Sequence, residues 1–377
     1  MSNKQNKIGI NLLYMNRKLS GGSIVYGINL VNELSKLDKF NNYIIYVNKD
    51  CKDLPIIIGP NFKFKIIPFS NTSVYYRYFW EQLLFPFILL FDNLDVLHSL
   101  GYVGPLFCPS FHIVSILDLN YKRQVKSMSL SKRLLLGFMV RMMSKFSTKI
   151  ITISNFSKNE IISVLNIDHN KIKVTHLSGT NDEYINFNII IDIKSIYNIK
   201  SDYIIAFGSS SSHKNIQGLI FAFSKLLIEH SKHCLILVGH QHSNEELNNL
   251  IIDLNISDKV FFTGFVPDEH VFPLIKASSL FIFPSYYEGF GIPLLDAQSL
   301  GVPVACSIAA SLPEVGQDGA IYFDPNNIVE MTGVMKTILE NTNISMDLIV
   351  KGFNNRSNYS WCKTAQITLE IYLKVIT

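Results

Sequence analysis

Residues 279–297 constrain the architecture of this chain more than any other stretch. Ser279-Leu280-Phe281-Ile282-Phe283 is a short apolar run of β-forming residues, the length of a buried strand. Pro284 stops it. Gly289 and Gly291 follow, where the backbone can take angles and make close approaches that a Cβ would block. Pro293 suits the first turn of a helix, where its missing N–H costs nothing. The segment reads as strand, glycine loop, helix start. Glu288 stands at the loop entrance and Asp296 one turn into the helix, separated by up to ~13 Å of extended loop plus ~6 Å of helix. Two acids so placed can serve opposite ends of one elongated ligand. The helix-start N–H groups between them carry partial positive charge and favour a phosphate. An acid at each end and an anion site in the middle suits a nucleotide diphosphate sugar.

The 377 residues are enough for two domains, and 48% hydrophobic against 17% charged residues excludes a disordered chain. Cys51, Cys108, Cys234, Cys306 and Cys362 are scattered, with no Cys-x-x-Cys or Cys/His metal spacing; reduced cytosolic thiols are expected. His240 and His242 read as loop residues, because no third ligand accompanies them. The first residues run almost directly into a strand with no secretory apolar segment, so a cytoplasmic protein is expected. A net charge of +4 suits an anionic membrane surface or anionic substrates and decides neither. No nucleic-acid partner is expected.

Strand–helix alternation runs twice along the chain. The first series has strands at Lys7–Tyr14, Tyr43–Val47, Phe64–Ile67, Val96–His98, His112–Asp118, Ile150–Ser154 and Lys173–Leu177. The second starts at Tyr203–Phe207 and continues through His233–Gly239, the Lys259–Pro267 segment and Ser279–Phe283. Helical patterns follow Asp324-Pro325. Two such series predict an α/β chain with two Rossmann-like, doubly wound sheets facing each other across a cleft. Ligands of such sheets sit beyond the carboxyl ends of the strands, where the motifs here fall. The segment Trp80–Phe91 has an uncharged run far short of the ~20 residues that cross a bilayer, and Pro86 interrupts it. It is expected to pack in the core or an acceptor cleft. Between Lys122 and Lys149 there are eight Lys/Arg and no acid, around the apolar Leu134–Met143. A basic amphipathic helix of this kind can make peripheral contact with an anionic membrane; a buried helix with a solvated basic rim is the alternative.

Glu288-Gly-Phe-Gly-Ile-Pro-Leu-Leu-Asp296 resembles the Glu-x7-Glu signature of the retaining, GT-B-fold glycosyltransferases of family 4, the glycosyl transferases group 1. Asp296 replaces the usual second Glu. Gly301-Val302-Pro303-Val304-Ala305 and Leu312-Pro313-Glu314-Val315 match the family in order. The bland alternative is a tight strand-to-helix connection with surface acids. Phe207-Gly208-Ser209-Ser210-Ser211-Ser212-His213-Lys214-Asn215 nearly spells a Walker A motif, but His213 and Asn215 stand where Gly and Ser/Thr belong, which disfavours an ATPase. The run resembles instead the family loop ending in Lys-Asn. The resemblance implies that Lys214 neutralises the departing diphosphate, a fixed cation at developing charge. Relatives often add an Arg; none occurs here, and His213 would partly substitute.

The same resemblance implies the other site residues. Glu288 and the N–H groups of Phe290, Gly291 and Ile292, after Gly289, would hold the sugar. Leu294 and Leu295 at the helix start would face the phosphate, and Asp296 the ribose. Gly208, Ser209, Asn215 and Gly239 would line the donor, with Phe265 and Val266 against the nucleobase. Gly21 and Gly22 resemble the first strand-to-helix loop near acceptor and donor phosphate. Where relatives carry His-Asp-Leu, this chain has Leu117-Asp118-Leu119, so no catalytic His is carried over. Asp118 would hold the acceptor or, equally, cap a turn. His98 at a strand end reads as structural.

The implied domains are 1–185 on the acceptor side, with residues 359–377 packing back on it, and 186–358 binding the nucleotide sugar. The implied activity is hexose transfer from a nucleotide diphosphate sugar, without cofactor or metal, to a glycan or polyprenyl-linked glycan. Cell-surface polysaccharide synthesis, O-antigen or capsule, at the inner face of the membrane is the expected setting. The alternatives are a GT-B epimerase or phosphorylase, or a non-catalytic sugar-nucleotide-binding subunit of a transferase complex.

Overall fold

The computed structural model describes residues 4–16, 21–51, 54–71, 73–122, 128–180, 193–208, 211–228, 232–239 and 245–377. They form two compact units. The first comprises Met1–Lys122, Met128–Leu177 and Ser360–Thr377; the second runs through Ser178–Tyr359.

The first unit begins with β1 (Lys7–Asn11), α1 (Gly22–Leu37), β2 (Asn42–Asn48) and β3 (Phe62–Ile67). Next come α2 (Val74–Phe79), a π-helical turn (Trp80–Leu84) and α3 (Phe85–Asp92), then β4 (Val96–Ser99) and β5 (Phe111–Ser115). The elements α4 (Leu130–Phe146), β6 (Lys149–Thr152), α5 (Asn155–Leu165) and β7 (Ile172–Val174) follow. Among the described residues the strands make one parallel seven-stranded sheet, ordered β3-β2-β1-β4-β5-β6-β7. Strands covered on both faces by helices read as continuous apolar runs, which is how Ile8–Ile10 and Ile113–Val114 are buried. Helix α1 turns Tyr26, Leu30, Val31 and Leu34 inward at helical spacing. Helix α5 starts where the Ser154 hydroxyl accepts the Ser157 N–H, so the polar residue after β6 ends one element and caps the next.

The second unit holds α6 (Ile193–Ile196), β8 (Asp202–Phe207), α7 (Ile216–Leu227), β9 (His233–Val238), α8 (Glu245–Asp253) and β10 (Val260–Gly264). It continues with α9 (Asp268–Lys276), β11 (Leu280–Phe283), α10 (Ile292–Ser299), β12 (Val304–Ser307), α11 (Leu312–Gly316) and β13 (Ile321–Phe323). Helices α12 (Ile328–Glu340) and α13 (Thr342–Arg356) close it, each capped by an asparagine, Asn327 and Asn341. The described strands form a parallel six-stranded sheet, ordered β10-β9-β8-β11-β12-β13. Its core gathers Leu219, Phe223, Leu235, Ile282 and Met335. Finally α14 (Trp361–Ile376) returns to the first unit, packing on α1, with the Tyr372 hydroxyl 2.6 Å from His98 Nδ1.

Both sheets have a single place where strand order reverses: between β1 and β4, and between β8 and β11. At such a switch point the connections leave in opposite directions and open a crevice beyond the strand ends.

Two sequence expectations are revised. The strand expected to reach Asp118 ends at Ser115, leaving Leu117 and Asp118 in the following loop. The Trp80–Phe91 segment does not simply fill a core: Phe85 and Leu89 are buried, while Leu83, Phe87, Leu90 and Phe91 are exposed. The helix is apolar all round, and the sheet can cover only one of its faces.

Candidate active site

The switch point of the second sheet brings two loops together. The loop after β8 ends in a 3-10 turn, Ser212–Lys214, followed by Asn215 in a left-handed conformation (φ 52°). The loop after β11 runs from Pro284 to Gly291. The Tyr286 N–H donates to the His213 carbonyl at 2.7 Å, pinning one loop to the other. Above this backbone bond the Lys214 ammonium donates to Glu288 Oε1 at 2.8 Å. Their side chains are only 19% and 15% exposed, so each charge neutralises the other in a partly dry setting. Lys214 Nζ also lies 5.2 Å from the centre of the Phe283 ring, whose face favours a cation.

His213 sits beside this pair. Burial lowers its basicity first; the Glu288 charge opposes that and the Lys214 charge adds to it. The net shift is downward, which favours the neutral imidazole and weighs against His213 standing in for an arginine.

The glycine loop is held from below. Ser311 is fully buried, and its hydroxyl donates to the carbonyls of Glu288 (2.9 Å) and Phe290 (3.0 Å). Gly291 caps α10 at φ 112°, and a Cβ there would lie 2.9 Å from Leu312 Cδ2. Pro293 occupies the first turn of α10, and no side chain caps that N-terminus. Phe290, Leu294 and Leu295 are buried, so they present backbone rather than side chain at the helix start. Ile292 is the first helical residue and Gly289 lies in the loop beside Glu288.

Neighbouring strand ends extend the same floor. Gly208 N–H donates to the Val238 carbonyl at 2.9 Å, and Gly239 N–H to the Gly264 carbonyl at 3.1 Å. Gly239 has φ 83°, and a Cβ on it would sit 2.8 Å from the Gly208 oxygen. Phe265 follows, 82% exposed, beside buried Val266. Ser209 lies outside the described residues, as do His240 and His242.

Two expected ligand contacts have structural duties. The Asn215 side chain donates to the Pro325 carbonyl at 2.8 Å and is buried, so it fixes the start of α7. Asp296 is buried too, and its Oδ1 accepts the Thr180 N–H at 2.7 Å. A ribose contact would have to be shared with Thr180.

In the first unit, Gly21 and Gly22 open α1 with nothing within 4 Å of a Cβ placed on either. Gly21 has φ 153° and, as N-cap, offers no side chain, leaving the first N–H groups of α1 uncapped by one. Asp118 Oδ1 accepts the Tyr102 hydroxyl at 2.9 Å and the Asn120 N–H at 3.1 Å, the turn-capping role. His98 is buried between Tyr372 and Ser115, a structural residue. At the β1/β4 switch point lies a polar network that sequence reasoning missed. Asn11 Nδ2 donates to Glu81 Oε1 and to Ser99 Oγ, both at 3.3 Å, and Ser99 Oγ lies 2.9 Å from His112 Nε2. Burial pushes the Glu81 carboxyl up to about 7 against the pull of Arg77. Nothing in an isolated Trp-Glu-Gln run marks that Glu. Ser311 was missed for a different reason: Ser311-x-x-Glu314 reads as a helix cap, yet the hydroxyl bonds no helix N–H and turns to the glycine loop.

Among the described residues no group of three His, Cys, Asp or Glu is arranged to hold a metal ion. No described helix is long and apolar enough to cross a membrane.

Residues 190–354 match the family model described as glycosyl transferases group 1. The chain is 31% identical over 228 residues to O-antigen chain mannosyltransferase B of Escherichia coli, covering 59% of this chain and 60% of that relative's length. Sucrose-phosphate synthase of Thermosynechococcus elongatus shares the fold at a TM-score of 0.78 and 16% identity, over 98% of this chain and 99% of that one. HepE of Anabaena, solved with UDP and glucose, aligns at a TM-score of 0.73 and 17% identity, over 98% and 100%. Residues 190–354 are thus similar to the group 1 glycosyltransferases, and the two parallel-sheet units have the α/β architecture of the GT-B fold.

Proposed function

We propose that this chain is a retaining glycosyltransferase that moves a hexose from a nucleotide diphosphate sugar to a glycan or polyprenyl-linked glycan. The setting would be cell-surface polysaccharide synthesis at the cytoplasmic face of a membrane. The observation that carries the reading is the Lys214–Glu288 pair at the β8/β11 switch point, beside the uncapped start of α10. The mannosyltransferase relative makes mannose the first sugar to try, and the neighbour solved with UDP keeps uridine donors in the panel.

In the proposed reaction the donor replaces an internal ion pair. Lys214 turns from Glu288 to the diphosphate oxygens, and Glu288 is released to accept sugar hydroxyls. The N–H groups at the α10 start add to the phosphate contact. The C1–O bond to phosphate breaks and an acceptor oxygen bonds C1 from the same face. The acceptor proton passes to the departing phosphate oxygen, so no protein base and no metal are required. Lys214 earns its effect by meeting charge that grows as the bond breaks. Phe265 and Val266 would flank the base, and Asp118 with Gly21 and Gly22 would stand on the acceptor side.

The test is a thermal-shift panel of UDP, GDP and dTDP sugars, since a bound ligand raises apparent stability, followed by turnover of the best donor. Stabilisation by one donor and transfer to acceptor support the reading. Release of a changed nucleotide sugar without acceptor would identify an epimerase, phosphate consumption a phosphorylase, and binding without any donor cleavage a non-catalytic subunit.

A further inference from the structure

We propose that the first unit docks on an anionic lipid bilayer through one exposed face shared by α2–α3 and α4. The segment Val74–Asp92 has two apolar faces. Tyr78, Glu81, Phe85 and Leu89, three or four residues apart, are buried. On the other face Phe79, Leu83, Phe87, Leu90 and Phe91 are 51%, 54%, 62%, 51% and 89% exposed. A helix apolar all round belongs in a core or against lipid. Here one face has the core and the other is bare, which is rare for a patch with no partner.

Helix α4 extends that face. Tyr75 OH lies 3.0 Å from Ser131 Oγ, and Tyr78 clusters with Met139, so the start of α2 sits against α4. Leu130, Leu134 and Phe138, one turn apart, are 60%, 63% and 57% exposed. The same stripe then continues with exposed Arg141 and Lys145. Helix α4 carries four Lys/Arg and no acid. Asp92, at the end of α3, is neutralised by Lys65 at 2.7 Å, and Glu81 points inward.

The charge selects the occupant. Apolar side chains beside unopposed cations match acyl chains beneath anionic headgroups. A second copy fits less well, because a two-fold contact would set the α4 cations against their own counterparts. Phe85 and Leu89 lock the opposite face into the core, so the segment lies on the bilayer and does not span it. The inference takes its purpose from the lipid-linked acceptor proposed above, but its test reads binding, not turnover.

The experiment is vesicle flotation of the full chain with phosphatidylcholine alone and with phosphatidylcholine–phosphatidylglycerol mixtures. The chain is expected to float with the mixed vesicles and remain behind with the neutral ones. The pairs Leu83→Asp/Phe87→Asp, Leu134→Asp/Phe138→Asp and Arg141→Glu/Lys145→Glu should each lower the bound fraction by about tenfold. Their thermal midpoints should be unchanged, because all six side chains face solvent. Undiminished flotation of the two apolar pairs, or equal flotation with neutral vesicles, overturns the proposal. Self-association in size exclusion that Leu83→Asp/Phe87→Asp abolishes, without vesicle binding, overturns it in favour of a second copy. Vesicle binding without sugar transfer would leave this surface standing and sink only the activity.

Discussion

Lys214 and Glu288 are 74 residues apart in sequence, yet their side chains meet at 2.8 Å across the reversal point of the second sheet. The sheet order sets this distance: β8 and β11 are neighbours, so whatever follows one faces whatever follows the other. Each side chain is occupied by the other, so any anion that Lys214 binds has to displace the Glu288 carboxylate.

Removing either partner is expected to cost activity more than stability. Lys214→Ala and Glu288→Ala should each lower kcat/KM by about 10²–10³. Urea denaturation should show a loss of roughly 1–3 kcal/mol, since removing one partner leaves the other, largely buried charge unpaired. Near-wild-type turnover in either variant refutes the roles assigned.

Two glycines separate backbone strain from function. Gly239→Ala should destabilise by roughly 1–3 kcal/mol, because a left-handed φ and the Gly208 carbonyl both oppose a Cβ. Gly22→Ala meets open space at the start of α1 and should fold at least as well as the native chain. A fall in acceptor-dependent turnover with an unchanged thermal midpoint would then report the acceptor side directly. Unchanged turnover removes Gly22 from the site.

Ser311→Ala tests the support beneath the glycine loop. Losing the donor to two loop carbonyls should cost roughly 1–2 kcal/mol. It should raise the KM for the donor more than it lowers kcat, because the loop loosens while Lys214 stays in place. A selective fall in kcat would contradict this.

Buried titrating groups in the first unit predict opposing pH effects. Burial raises Glu81 from 4.5 to about 7, so its proton favours the folded state; that stability is present below about pH 4.5 and is lost as pH rises through about 7. His98 and His112 are depressed from 6.5 to about 3 and about 4, so their stability is present above about pH 6.5 and is lost as pH falls through those values. Glu81→Gln removes only the first effect. Relative to wild type it should gain roughly 1–3 kcal/mol between about pH 5 and pH 8 in urea titrations. Parallel curves for the two proteins would show that Glu81 does not titrate there.

The periodicity of the sequence carried the two parallel sheets, because strands buried on both faces must be continuous apolar runs. The Lys214–Glu288 meeting was legible only through the resemblance, since spacing along the chain does not reveal strand order. Helix exposure was not legible: Phe85 and Phe87 look alike in sequence, and only the position of the helix on the sheet buries one and bares the other. The inward turn of Asn215 toward Pro325 was equally hidden, because its partner lies 110 residues away. Ser311 was obscured by a competing local signal, a capping pattern that its hydroxyl does not fulfil.

The first unit is interrupted, whereas the described residues of the second all fall between Ser178 and Tyr359. On the ribosome, the stretch from Ser178 to Tyr359 can finish its sheet while the earlier strands still await α14, whose Tyr372 reaches His98 and whose length covers α1. Until residue 372 has emerged, the nascent first half carries an uncovered flank beside α1, which makes the interval before the last helix arrives the stage at which chaperones or proteases would act on this chain.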